Sequence, residues 1–387
     1  MARARLDAGQ LRAFKRTYRV PRENFADEFS EPVMTPQIPP PIRGRGASAN
    51  PANRFEELAI ELEPEDLPNE QRTGPTTRFY RDFTRTIIAH NDSPDVGFES
   101  SVNPYRGCEH GCIYCYARPT HEYLGFSAGL DFESRIMVKE DAPELLAAEL
   151  SKPSWKPQVI AMSGVTDPYQ PVERRLQLTR RCLEVLARFR NPVAIITKNQ
   201  LVTRDVDLFG ELAAHQAAAV NISVTSLDPK LQRILEPRTS TPRARLDAIS
   251  ELRAAGVPVG VMVAPIIPGL TDHEVPAILQ ACADAGAGWA GYTVVRLPFA
   301  VAPLFERWLA EHFPDRKEKV LGRIRHLRGG KHLNDPRFKS RMIGEGIFAE
   351  QIRALFEAGC KRAGMNERVR LSTAAFRRPS AQMCLFE

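Results

Sequence analysis

Three of the seven cysteines lie within eight positions, in the stretch Gly107-Cys-Glu-His-Gly-Cys-Ile-Tyr-Cys-Tyr116. The spacing of Cys108, Cys112 and Cys115 is C-x3-C-x2-C. Thiolates are soft ligands, and three on one short loop can converge on a single metal centre. The next cysteine is Cys182. Structural zinc fills four positions, and ferredoxin clusters use four cysteines. Three ligands on a four-iron cluster leave one iron open to bind something else. A zinc knuckle completed by His110 or His121, or three structural thiols, are other readings of the same spacing. Cys182, Cys282 and Cys360 fall in helical patterns and read as core. An odd total excludes a fully paired disulfide framework within one chain.

The elements around this loop alternate. Gln158–Ser163, Pro192–Thr197, Ala219–Thr225, Val257–Ala264 and Gly291–Arg296 are short, nearly continuous apolar runs. Such runs read as strands buried on both faces. Residues 176–189, 204–214, 242–255 and 273–285 carry helical periodicity between them. With a strand near Ser101–Arg106 the count is six βα units. Parallel strands with right-handed crossovers follow, and six units make a partial (β/α)6, TIM-like α/β barrel. The cysteine loop then follows the first strand.

The 387 residues are 43% hydrophobic and 26% charged, which excludes wholesale disorder, a coiled coil or a collagen-like rod. No apolar run approaches a membrane span. The start leads into no apolar signal segment, so a cytoplasmic location with free thiols is expected. Residues 1–90, rich in Pro and charge, are expected to be a poorly structured extension. Residues 91–300 are the barrel, and residues 301–387 a basic, mainly helical segment with an extended tail. Net charge is −2 over residues 1–100, zero over 101–300 and +8 over 301–387. A basic excess of that kind suits a polyanion, or simply solvates helices.

C-x3-C-x-aromatic-C in the first loop of a partial barrel resembles the radical S-adenosylmethionine (SAM) superfamily over residues 100–300. The resemblance implies a [4Fe–4S] cluster on Cys108, Cys112 and Cys115, with SAM chelating the open iron. Reduction, by a partner such as flavodoxin or ferredoxin, cleaves SAM to a 5′-deoxyadenosyl radical that abstracts hydrogen from substrate. A closer resemblance is to the spore photoproduct lyase, or DNA-repair-photolyase-like, branch. It is carried by the cysteine loop, Thr197-Lys-Asn199, Ser223-Val-Thr-Ser-Leu-Asp228, Glu236-Pro-Arg-Thr239 and Val263-Ala-Pro265.

That closer resemblance implies Lys198 on the SAM carboxylate and Ser223 in the SAM site. It implies Tyr114 packing near the adenine and Tyr116 in returning a hydrogen atom. Ser163-Gly-Val-Thr-Asp-Pro-Tyr-Gln170 occupies the place of a glycine-rich segment that binds the SAM amino group, although Gly-Gly-Glu itself is absent. Gly164 would allow close backbone approach there, and Thr166 and Asp167 would accept from the ammonium. Asp-Pro is also a good turn former, and Tyr169 and Gln170 could face substrate. Arg238 would bind SAM or a substrate anion, or close a loop salt bridge. The lyase's hydrogen-donating cysteine has no counterpart, because no cysteine lies between Cys115 and Cys182.

Gln382-Met-Cys-Leu-Phe386 resembles the short peptides that bind the bacterial DNA sliding clamp, through Gln382, Leu385 and Phe386. The expectation is therefore a radical SAM enzyme acting on a nucleic-acid base, DNA ahead of RNA, in repair or modification. Radical modification of RNA or protein is one alternative. A non-catalytic zinc-binding interaction module is another.

Overall fold

The five apolar runs and the start of the strand expected near Ser101–Arg106 become six parallel strands: β1 Ser100–Val102, β2 Ile160–Met162, β3 Val193–Thr197, β4 Ala218–Ser223, β5 Val259–Ile266 and β6 Trp289–Val294. The structure, a computed structural model, describes residues 42–55, 76–367 and 369–379. The strands pair in sequence order, each parallel to the next. A short antiparallel strand, Ile88–His90, extends the β1 edge. The two ends of this seven-stranded sheet do not meet. This is the expected partial barrel. The antiparallel edge strand was not legible in the sequence, nor was a small second sheet of Arg78–Arg81, Arg135–Val138 and Tyr105–Arg106.

The longer helices are α1 Ala142–Ser151, α2 Leu178–Phe189, α3 Val206–Ala213, α4 Pro242–Ala254 and α5 Val275–Asp284, then α6 Val301–His312, α7 Lys317–Leu327 and α8 Ile347–Arg362. Local chemistry starts them where the barrel needs them. The Thr241 hydroxyl accepts from Ala244 N at 3.3 Å, and Pro242 fills the first turn of α4. Ala248, Ile249 and Leu252 of α4 are fully buried, as are Ile278, Leu279 and Cys282 of α5. They share one core with the buried strand residues.

Ile196, Asn221, Gly260 and Trp289 lie in one row across β3, β4, β5 and β6. Trp289 Nε1 reaches across Gly260 to donate to Asn221 Oδ1 at 3.0 Å. A Cβ on Gly260 would stand 2.2 Å from the indole, so only glycine admits this crossing.

Helices α6 and α7 are not a separate basic module. Phe305, Trp308, Val320 and Ile324 share a second core with Ile113 and Tyr114 of the cysteine loop, and with Leu235, Ile267 and Leu297. Trp308 Nε1 donates to the Ile234 carbonyl at 3.1 Å. The described part of the tail is docked rather than free. Ser372 N donates to Gln216 O at 2.9 Å, Arg377 N to Phe189 O at 2.9 Å, and Arg378 to Trp155 O at 2.9 Å. These acceptors precede β4, β3 and β2, so residues 372–378 cross the N-terminal end of the barrel. Gln382, Leu385 and Phe386 lie outside the described residues. Part of the expected poorly structured extension is also docked: Gly46 and Ala47 reach the cysteine loop, and Asn50, Asn53 and Arg54 bond to residues 122–131 after it. No helix among the described residues is long and apolar enough to cross a membrane.

Candidate active site

The cysteine loop is held from behind by buried polar groups. Arg118 is fully buried and donates twice to the Cys112 carbonyl, at 3.0 and 2.9 Å. It also pairs with Glu133, whose carboxylate accepts from Gly46 N at 3.0 Å and Ala47 N at 2.9 Å. Residues 45–47 thus lie directly on the loop. A Cβ on Gly46 would stand 1.7 Å from Gly111 O. From the other side Gln170 accepts from Glu109 N at 3.0 Å and donates to Gly107 O at 3.3 Å. The Glu109 carboxylate accepts from Val172 N at 2.7 Å and pairs with Arg238 at 3.3 Å. Gln170 thus bonds two backbone groups of the loop rather than facing substrate, and Arg238 forms the loop salt bridge that was one of its two readings.

Cys108 and Cys112 are buried, Cys115 is half-buried, and all three are free. Burial and the neighbouring Glu236 and thiols push the Cys112 thiol well up. Burial and Cys108 push Cys115 up to about 11. Without a metal these shifts keep Cys112 and Cys115 as neutral thiols, and a bound cation would favour the thiolates that serve as ligands. As the side chains stand, no His, Cys, Asp or Glu group that could hold a metal ion is closed among the described residues. The donor set still suits a cluster: three thiols on one loop. Among the described residues neither His110 nor His121 belongs to a group that could hold a metal ion. His110 Nδ1 faces Asp167 at 3.3 Å and Nε2 faces the Asn199 amide at 3.3 Å. Burial pushes His121 down to about 4, among Phe126 and Phe132.

At the C-terminal strand ends Lys198 and Ser223 meet, with Nζ to Oγ at 2.6 Å. Lys198 also donates to Ala264 O at 3.1 Å and stands 5.9 Å over the Tyr114 ring. Beneath them is a buried acid that the sequence named only as part of a motif, without a role. Glu236 accepts from Tyr114, from Thr225 at 2.7 Å and from Arg245, and lies 3.9 Å from Lys198. Burial alone would raise its pKa, but Arg245 and Lys198 hold it at about 2. Arg245 donates from its other arm to Ser223 O at 2.9 Å. The available signal was an arginine at 245 in the same helical stripe as Ala248, Ile249 and Leu252. The lysine therefore sits on a fixed anion, with its remaining hydrogen-bonding capacity at the mouth.

Asp167 does not face the mouth freely. Its oxygens accept from Thr197 Oγ1 at 2.7 Å, Lys198 N at 2.8 Å and Tyr169 N at 2.9 Å, and His110 Nδ1 lies 3.3 Å away. The expected ammonium acceptor is thus a brace between β3 and the cysteine loop. Thr166 is buried with its hydroxyl 3.4 Å from Tyr105 O. Tyr169 is buried on Asp205 at 3.0 Å rather than facing substrate. Gly164 keeps its expected freedom: φ is +121°, and a Cβ there would meet nothing within 4 Å. Tyr116 donates to the Gly164 carbonyl, and Arg296, unremarked in the sequence, lies 5.2 Å over its ring.

Residues 102–282 match the family model of the radical SAM superfamily. An uncharacterized Mycobacterium tuberculosis protein is 41% identical over 241 residues, spanning 61% of this chain and 69% of that protein. A solved point mutant of spore photoproduct lyase superposes with a TM-score of 0.55 at 15% identity, over 80% of this chain and 87% of its own. A spore photoproduct lyase complexed with dinucleoside spore photoproduct gives a TM-score of 0.53 at 15% identity, over 73% and 79%. At such identity these two likenesses speak for the fold.

Proposed function

The chain belongs to the radical SAM superfamily, which uses a [4Fe–4S] cluster and SAM, and on that premise we propose that it turns a 5′-deoxyadenosyl radical on a nucleic-acid base. Cys108, Cys112 and Cys115 would hold the cluster. When bound and reduced, it supplies the electron that cleaves SAM. Lys198, fixed on Glu236 and Ser223, presents an ammonium for the SAM carboxylate. Gly164 leaves room for close approach of the cofactor to backbone. Tyr116 stands beside it, ordered by the Gly164 carbonyl. The carrying observation is the meeting of Lys198 and Ser223 at the mouth, on the same buried network as Tyr114 of the cysteine loop. Ala47, Trp308 and Ile324 share an apolar core with Cys112, Ile113 and Tyr114 of that loop, and Ser48 donates to Glu311 at 3.0 Å.

The nucleobase reading is supported by the likeness in fold to a spore photoproduct lyase complexed with a dinucleoside lesion. A reductant such as flavodoxin or ferredoxin is the partner that this chemistry needs. The absence of a cysteine between Cys115 and Cys182 points away from the lyase's own hydrogen-return step. The activity is therefore hydrogen abstraction from a base, in repair or modification, with DNA placed ahead of RNA.

Anaerobic reconstitution with iron and sulfide tests the first half. An iron–sulfur absorption band and reductant-dependent release of 5′-deoxyadenosine are expected, and Cys112→Ala abolishes both. Stoichiometric zinc without SAM cleavage would instead favour the interaction module. Lys198→Ala should raise the KM for SAM at least tenfold while the absorption band is kept. For the second half, SAM deuterated at the 5′ carbon is incubated with irradiated DNA, untreated DNA and RNA. Label exchange with a base in one of them is the expected result. Exchange with none, while a peptide or small-molecule pool accepts label, overturns the nucleobase assignment.

A further inference from the structure

Four side chains beside the mouth form a ladder of flat faces that folding alone does not explain. Tyr123 and Phe55 stack with ring centroids 4.9 Å apart. The Arg54 guanidinium lies 4.9 Å from the Phe55 ring and 3.7 Å from the Phe299 ring. Arg54 is fixed edge-on by buried Glu122, with Nε to Oε2 at 2.7 Å. Yet the rings are left in solvent: Phe55 is 54%, Tyr123 72% and Phe299 63% exposed. Large aromatic side chains normally gain stability by burial, so an ordered exposed set marks a contact surface.

Phe299 is also strained. Its φ is +49°, the left-handed region, which a bulky residue enters at a cost. Strain of this kind persists where the surrounding structure uses it. Phe299 follows β6 on the loop that carries Arg296, three residues earlier. Arg296 covers Tyr116 and forms no ion pair among the described residues; its Nε is buried and unpartnered, and its one side-chain hydrogen bond is a weak one to Met342 Sδ at 3.5 Å. Burial and the nearby Arg341 make that charge costly to keep, and a bound anion relieves the cost.

We infer that this rim binds a single-stranded polynucleotide: Phe299 and Tyr123, the outer members of the ladder, stack the bases that flank the reacting nucleotide, Phe55 and Arg54 hold them in place, and Arg296 takes a backbone phosphate. The inference rests on the nucleobase reading above and deepens it. Aromatic and guanidinium faces stack any base, which suits a sequence-tolerant grip. An intact duplex hides its base faces from such a ladder, so the strand must be single or opened. Arg296 then sets the phosphate beside Tyr116.

The test uses the reconstituted holoenzyme and fluorescence anisotropy with labelled single-stranded DNA, RNA of the same sequence, and the corresponding duplex, each across a salt series. Wild type is expected to prefer a single strand, and the DNA and RNA arms show which kind. Phe299→Ala should weaken that binding about tenfold, while uncoupled SAM cleavage stays unchanged. Arg296→Gln should lower the salt slope by about one phosphate contact. Phe299→Trp should restore binding. Phe299→Gly should bind as poorly as the Ala variant yet melt no lower, since glycine relaxes the strained φ. Wild type that binds, with Phe299→Ala and Arg296→Gln unchanged in affinity and slope, overturns the rim while leaving the nucleobase reading. Preference for the intact duplex also overturns it. A wild type that binds none of the three overturns both.

Discussion

Glu236 is the residue on which the strand-end network depends. It neutralises Arg245 inside the protein and holds Tyr114, Thr225 and Lys198 in place. Removing one partner of a buried ion pair leaves the other charge uncompensated. Glu236→Ala should therefore cost ~3–5 kcal/mol, measured by chemical denaturation. The pH dependence has a definite sign. A carboxyl held near 2 in the fold and near its ordinary value in the unfolded chain stabilises above that ordinary value. The contribution is lost as pH falls toward 2. The stability gap between wild type and Glu236→Gln should accordingly shrink from about pH 5 down to about pH 2; a gap that is flat across this range would refute the assignment. The three cysteines were legible because their meaning lies in covalent spacing. So were Lys198 and Ser223, through a resemblance at strand ends. Glu236, Arg245 and Arg296 were not, because their roles come from neighbours that only folding supplies. Asp167 shows the converse: a polar residue in the right place is consumed by backbone amides and a histidine.

At the scale of elements, buried parallel strands announce themselves because both faces are apolar, and the five apolar runs lay close to where periodicity put them, while the first strand, Ser100–Val102, is shorter than expected because Tyr105–Arg106 pairs in the second sheet. The strap at residues 42–55 did not. Its composition is that of a linker, and its order comes from Glu133, 87 residues after Gly46. Gly46→Ala forces a methyl group into the Gly111 carbonyl, so the strap must lift. Lower iron content after reconstitution and a melting temperature several degrees down are expected. Gly322 in α7 is the opposite case, since a Cβ there meets nothing within 4 Å. Gly322→Ala should raise stability by about 0.5–1 kcal/mol through helix propensity, read from the denaturation midpoint with SAM cleavage unchanged. Together the pair separates close backbone approach from mere presence of glycine.

For the whole molecule, net charge was a poor guide to where the surfaces lie. The C-terminal surplus includes Arg377 and Arg378, which are spent on carbonyls at the N-terminal end of the barrel. Helices α6 and α7 contribute their apolar faces to the core under the cysteine loop. The two ends of the barrel thus differ in kind: chemistry at one, a docked tail at the other. Phe376, whose ring is tilted against Phe189 at 6.3 Å, tests this division. Phe376→Ala should lower the melting temperature by a few degrees and leave both uncoupled SAM cleavage and nucleic-acid affinity untouched. A change in either activity would show that the two ends communicate.

The strap also has a consequence for handling in air. Iron–sulfur clusters are destroyed by oxygen that reaches them from any side. Gly46 and Ala47 lie against the rear of the cysteine loop, clasped by Glu133, while the mouth is the side on which SAM would lie in the function proposed above. With SAM bound, the strap becomes the remaining shutter. Aerobic bleaching of the cluster should then be slow in the wild type with SAM and fast in Glu133→Gln with SAM. Without SAM the two proteins should bleach at similar rates, because the open mouth admits oxygen to both.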